Sequence, residues 1–110
     1  MDEAVFLEHA DAMLARIEDM IGVAVDASDL DIDLELQAGG ILKLEFDNSS
    51  QIIINRHAAA REIWIAARSG GFHFRPESGR WIGTRDGREL LDVLEELISL
   101  QAGTPFTLPR

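Results

Sequence analysis

The segment Asp29-Leu30-Asp31-Ile32-Asp33-Leu34-Glu35-Leu36 alternates acidic and apolar residues without a break. Successive side chains of a strand point to opposite faces, so period two is a strand signal. A strand over 29–36 would place its aliphatic side chains on one face and four carboxylates on the other. One face must be buried and the other must stand in water. Antiparallel sheets permit this, whereas parallel sheets are covered on both sides.

The rest of the chain extends the pattern. Gly39-Gly40 marks a turn, and Leu42, Leu44 and Phe46 alternate with Lys43 and Glu45 in a second strand. After the turn cluster Asp47-Asn48-Ser49-Ser50 come Ile52-Ile53-Ile54, Ile63-Trp64-Ile65 and Phe72-His73-Phe74, with Arg80-Trp81-Ile82 as a short sixth strand. Before them, Phe6, Ala10, Met13, Leu14, Ile17 and Ile21 recur at helical spacing. The spacing predicts a helix over 3–21, with Gly22 as its stop. After the strands, Asp86 and Glu89 form a capping-box pattern ahead of Leu90, Leu91, Leu94, Leu97 and Ile98. Gly103, Pro105 and Pro109 end the helix, and Phe106 and Leu108 are expected to pack back onto the core. Hairpin-length connections imply an antiparallel sheet. The expected fold is α+β: a two-layer sandwich of five to six antiparallel strands, with N- and C-terminal helices on one face. No linker or repeat interrupts the 110 residues, so one domain over 1–110 is expected.

Charge is segregated along the chain. Twenty acidic residues against ten basic ones give a formal net charge of −10. Residues 1–35 hold 11 acids and a single base, Arg16, whereas residues 36–110 are balanced at nine and nine. The whole excess therefore sits in the first third. Such a field repels nucleic acid and anionic membrane, and attracts cations or a basic protein surface. The chain has no cysteine, which removes disulfides, thiolate metal sites and thiol nucleophiles. No apolar run reaches the roughly 18–20 residues of a membrane span. Met1-Asp2-Glu3 is acidic where secretory signals are basic, so a soluble cytoplasmic protein is expected.

The carboxylates do not spell an EF-hand. Asp29, Asp31 and Asp33 fit loop positions one, three and five, but Leu34 stands at the glycine position and Gly40 at the final glutamate position. On a strand, residues i and i+2 lie about 6.6–6.8 Å apart, so a row of acids makes shallow, overlapping, open sites rather than one cage. Neighbouring unit charges at that spacing repel by roughly 0.6 kcal/mol in water. Oxygen-only ligands favour hard cations, among them iron, manganese, magnesium and calcium. Catalysis has little support: His9, His57 and His73 are scattered, and no nucleophile–base grouping is implied. His9 beside Glu8 reads as a solvated helix residue sooner than as a ligand. The open sheet face is expected to carry Asp31, Asp33, Glu35, Lys43, Glu45, Asn55, Glu62, Trp64 and His73. Trp64 there is either a contact residue or buried by a loop or by the strand's own twist.

Several segments in order carry a resemblance: Asp31-Ile32-Asp33-Leu34-Glu35, Gly40-Ile41-Leu42 through Phe46, Ile52 through Arg56, Ile63 through Ala67, and Ser69 through Phe74. Together they resemble the frataxin family, its bacterial branch most closely, over nearly the whole chain. The resemblance implies the same helix–sheet–helix sandwich and a role in iron–sulfur cluster assembly. It further implies weak, reversible iron binding on an acidic ridge, onto which Glu18, Asp19, Asp26, Asp29, Asp31 and Asp33 fall. It implies docking on a cysteine desulfurase (IscS in bacteria) and contact with the cluster scaffold protein. Asn55 and Trp64 fall on the family's sheet-face contact site, with Asp31 and Asp33 contributing from the ridge. The expected role is non-enzymatic regulation of sulfur transfer with possible iron donation, by a monomer that iron can drive into an oligomer. A ferroxidase or iron-storage protein is the alternative, and an acidic interaction domain without metal is the third reading. The chain departs from bacterial relatives in the apolar stretch Met20 to Val25, in His57 and Glu62 where glutamine is usual, and in Ala59 where proline is usual.

Overall fold

A computed structural model describes residues 1–110. Helix α1 spans Glu3–Asp26, six strands follow, and helix α2 spans Leu90–Ala102. The strands are β1 Ile32–Gln37, β2 Ile41–Phe46, β3 Gln51–His57, β4 Glu62–Ala67, β5 Gly70–Glu77 and β6 Arg80–Gly83. They form one antiparallel meander in the order β1-β2-β3-β4-β5-β6. This is the expected sandwich, with the short sixth strand present.

The period-two pattern explains the layering. Ile32, Leu42, Leu44, Phe46, Ile52, Ile54, Ile63, Ile65 and Phe74 point to one face and are buried. Against them lie Phe6, Leu14, Ile17 and Ile21 from α1, and Leu90, Leu94, Leu97 and Ile98 from α2, all in one core cluster. Phe106 and Leu108 of the tail close the core as expected, at 7% and 3% exposure. The tail is tied to α2: Phe106 N–H donates to Ser99 Oγ at 2.9 Å, and Leu108 N–H to Glu95 Oε2 at 2.8 Å. Arg110 pairs with Asp92 at 2.7 Å. Its guanidinium is held above the ordinary arginine range, first by that hydrogen bond. The buried Gln101 side chain bonds Ser50 Oγ, the Gln51 carbonyl and the Arg68 N–H, joining α2 to two hairpins. Every buried side-chain polar atom is satisfied, as an interior of this size requires.

Three boundaries differ from the sequence pattern. Gly22 does not stop α1, which continues to Asp26. A helical glycine costs about 1 kcal/mol relative to alanine, but Met20 and Ile21 are buried beside it, and Ala24 and Val25 pack on the core. Second, the strand begins at Ile32 and not at Asp29. The longer helix and the bend at Ser28, whose Oγ accepts from Leu30 N–H at 3.2 Å, place Asp29 and Asp31 before the sheet. Asp31 is therefore not a strand residue of the open face, and the alternating carboxylates within β1 are Asp33 and Glu35. Third, Asp86 does not cap α2. Its Oδ1 accepts from Arg88 N–H, while Gly83 N–H donates to the Arg88 carbonyl at 2.7 Å. That tie to β6 delays the helix, whose N-cap is Glu89 without a side-chain cap bond.

Candidate functional site

Two surfaces stand out: an acidic edge and the open sheet face. The edge is where α1 meets β1. Glu18, Asp19 and Asp26 line one open depression with Gly22, Val23 and Leu34. The extended helix is what brings Asp26 to it. Asp29 and Asp31 lie in the connection that follows, and Asp33 on the first residues of β1; all three are exposed. None of these six carboxylates takes part in an ion pair or a side-chain hydrogen bond. No three carboxylates or imidazoles on the chain converge closely enough to hold one ion between them. The edge can therefore attract hard cations over a wide area, through one or two protein oxygens at a time with water completing the shell.

One arginine fastens this edge. Arg56 on β3 donates to Asp11 on α1 at 3.1 Å and to the Gly39 carbonyl at 3.2 Å. Its side chain crosses Gly40, where a Cβ would stand 2.1 Å from Nε, and Gly40 has φ +76°. The conformation strains any other residue there, and a side chain would push the Arg56 side chain out of its place across the turn.

The open face carries a different constellation. In register, Asn55 lies opposite Trp64, and Trp64 opposite His73. Asp33 and Glu35 lie on the same face, paired with Glu45 and Lys43. Trp64 is in register with Asn55, Ile41 and Gln37, so Asp33 lies three strands across and four residues along β1 from it, about 19 Å at ordinary strand geometry. Trp64 is half-buried, so strand twist does not remove it from the surface. Its ring is covered on both sides. His57 stacks on one face with centroids 3.9 Å apart and planes 12° apart, and His73 on the other at 4.3 Å and 9°. Its Nε1–H donates to Glu62 Oε1 at 2.7 Å, and His73 Nδ1 stands 3.6 Å from the same oxygen. His57 Nδ1 accepts from Ala60 N–H at 3.3 Å.

Alternation assigns Asn55, Glu62, Trp64 and His73 to this face, and they lie there. It missed His57, which is register partner to Glu62 rather than to Trp64 and reaches the indole diagonally. Its parity with Asn55 on the strand was the available signal. His9 sits elsewhere, exposed on α1 beside the β5–β6 turn and Trp81. No helix is long and apolar enough to cross a membrane.

Known proteins share this architecture and sequence. The frataxin-like domain family matches residues 1–104. The iron-sulfur cluster assembly protein CyaY of Dechloromonas aromatica is 48% identical over 108 residues, covering 98% of this chain and 99% of that protein. Frataxin from Psychromonas ingrahamii superposes with a TM-score of 0.84 at 32% identity over the full length of both chains. Trimeric frataxin of Saccharomyces cerevisiae, in a structure complexed with ferrous iron, superposes with a TM-score of 0.75 at 28% identity over 87% of each chain. With the sequence matched nearly end to end and the six-stranded sandwich shared, the chain belongs to the frataxin family.

Proposed function

We propose that this protein is a non-enzymatic, iron-binding component of iron–sulfur cluster assembly that docks on a cysteine desulfurase and regulates sulfur transfer, with iron donation as a related role. The observation that carries this reading is the juxtaposition of an unpaired acidic edge with an open sheet face bearing Asn55 and Trp64. Glu18, Asp19, Asp26, Asp29, Asp31 and Asp33 are the proposed iron ligands. Asp31, Asp33, Asn55 and Trp64 are the proposed docking residues. A basic desulfurase surface would meet the carboxylates at the edge while the sheet face supplies the aromatic anchor. Iron bound by so few protein oxygens per ion exchanges readily, which suits a carrier or a sensor.

Calorimetry with purified desulfurase tests the docking. Binding by the wild type, weakened at least about tenfold by Asp31→Lys/Asp33→Lys, is the expected result, and undiminished binding by the charge-reversed protein contradicts it. A sulfur-transfer assay then reads whether bound protein changes the desulfurase rate.

A ferroxidase that stores oxidised iron is the second reading, favoured by the ferrous complex of the yeast relative. A dinuclear centre wants carboxylates and histidines converging from facing elements. Here the six acids are spread along one edge. Catalytic oxygen uptake on adding ferrous iron would favour the enzyme, whereas stoichiometric uptake favours the carrier.

A further inference from the structure

The aromatic group on the open face has a geometry that bears on how it makes contact. Both π faces of Trp64 are occupied by imidazoles, and its one donor is taken by Glu62. A partner side chain therefore has no free indole face on which to stack. What is presented outward is the rim of three nearly parallel rings, contributed by the adjacent strands β3, β4 and β5. The hydrogen bond from Nε1–H fixes the indole against rotation, and the imidazoles remove its freedom to tilt. Each imidazole has its own anchor, His57 at Ala60 N–H and His73 beside Glu62.

We propose that Trp64 meets the partner edge-on as the centre of this three-ring strip, and that His57, Glu62 and His73 are positioning residues holding the indole in that orientation. The inference rests on the docking reading above. Its occupant is the same basic-surfaced desulfurase, because Asp33 and Glu35 lie on the same sheet face. Holding an aromatic anchor in its bound orientation before encounter spares the ordering cost at binding. A rim of ring edges suits aliphatic side chains and backbone carbonyls, since aromatic edges are electropositive.

The test compares ring-deleting with ring-keeping variants. His57→Ala/His73→Ala removes the stack, whereas His57→Phe/His73→Phe keeps two flanking rings without imidazole chemistry. Desulfurase affinity is measured by calorimetry, and the order of the Trp64 indole by the ¹H–¹⁵N nuclear Overhauser effect at Nε1. Melting curves confirm that each variant folds. The alanine pair is expected to lose affinity by about tenfold and to show a mobile indole. The phenylalanine pair is expected to stay within about threefold of wild type with the indole ordered. If Trp64→Arg abolishes binding while the alanine pair binds like wild type, docking stands and the positioning role is overturned. If Trp64→Arg binds like wild type, the docking reading falls and takes this inference with it.

Discussion

The acids of the two ends of the chain live differently. In the last third, Glu77 pairs with Arg75, Glu96 with Arg88, and Asp92 and Glu95 with Arg110. In the first third, Asp11 alone has an ion-pair partner, Arg56. The same side-chain chemistry serves two ends: around α2 the carboxylates fasten the tail and the helix surface, while along α1 and β1 they are left without counter-charge. An unpaired carboxylate row is a standing repulsion, and a cation or basic surface relieves it. The free charge, more than the number of acids, distinguishes the acidic edge.

The largest expected effect lies at Trp64 on the sheet face, the proposed aromatic anchor. Trp64→Arg is expected to weaken the desulfurase complex about a hundredfold, within the range of aromatic hot spots, and to leave iron binding unchanged. Equal loss of both activities would erase the distinction between edge and face. Next in size, Asp31→Lys with Asp33→Lys is expected to reduce desulfurase affinity by at least about tenfold and to weaken iron binding while the fold is retained. Calorimetry for both ligands, with circular dichroism for folding, reads this.

Stability sharpens the contrast further. Gly22 lies inside α1 with open space around the position a Cβ would occupy. Gly22→Ala is expected to stabilise the fold by about 0.5–1 kcal/mol in urea unfolding. A loss would mean that the depression beside it is already filled by its neighbours. The smallest effects come from neutralising single acids. Asp92→Asn removes the nearer of the two carboxylates paired with Arg110 and should cost up to about 0.5 kcal/mol, whereas Asp19→Asn should raise stability by a few tenths. Equal signs for the two would show that paired and unpaired acids are not energetically distinct.

Much of this was legible in the sequence because the sheet face is set by parity. Once Leu42, Leu44, Ile52, Ile54, Ile63 and Ile65 point inward, Asn55, Trp64 and His73 must point outward together. The ring stack was not legible, because His57 reaches Trp64 along a diagonal that register, not parity, decides. The acidic row was only partly legible. Alternation from Asp29 to Leu36 looks like an uninterrupted strand, but α1 runs five residues past its predicted end and the chain must turn before β1. Gly22 misled because intrinsic propensity is small beside the burial of Met20 and Ile21. Asp86 misled because the hydrogen bond between Gly83 and Arg88 extends the β6 connection through the predicted cap.

The most direct test of the separation between edge and face is a pair of NMR titrations on ¹⁵N-labelled protein, one with ferrous iron under anaerobic conditions and one with desulfurase. Iron is expected to broaden the amides of Glu18, Asp19, Asp26, Asp29, Asp31 and Asp33 and to spare Asn55 and the Trp64 indole. Desulfurase is expected to perturb Asp31, Asp33, Asn55 and Trp64 together. Iron broadening centred on the Trp64 strip, or a desulfurase footprint confined to the helices, would contradict it.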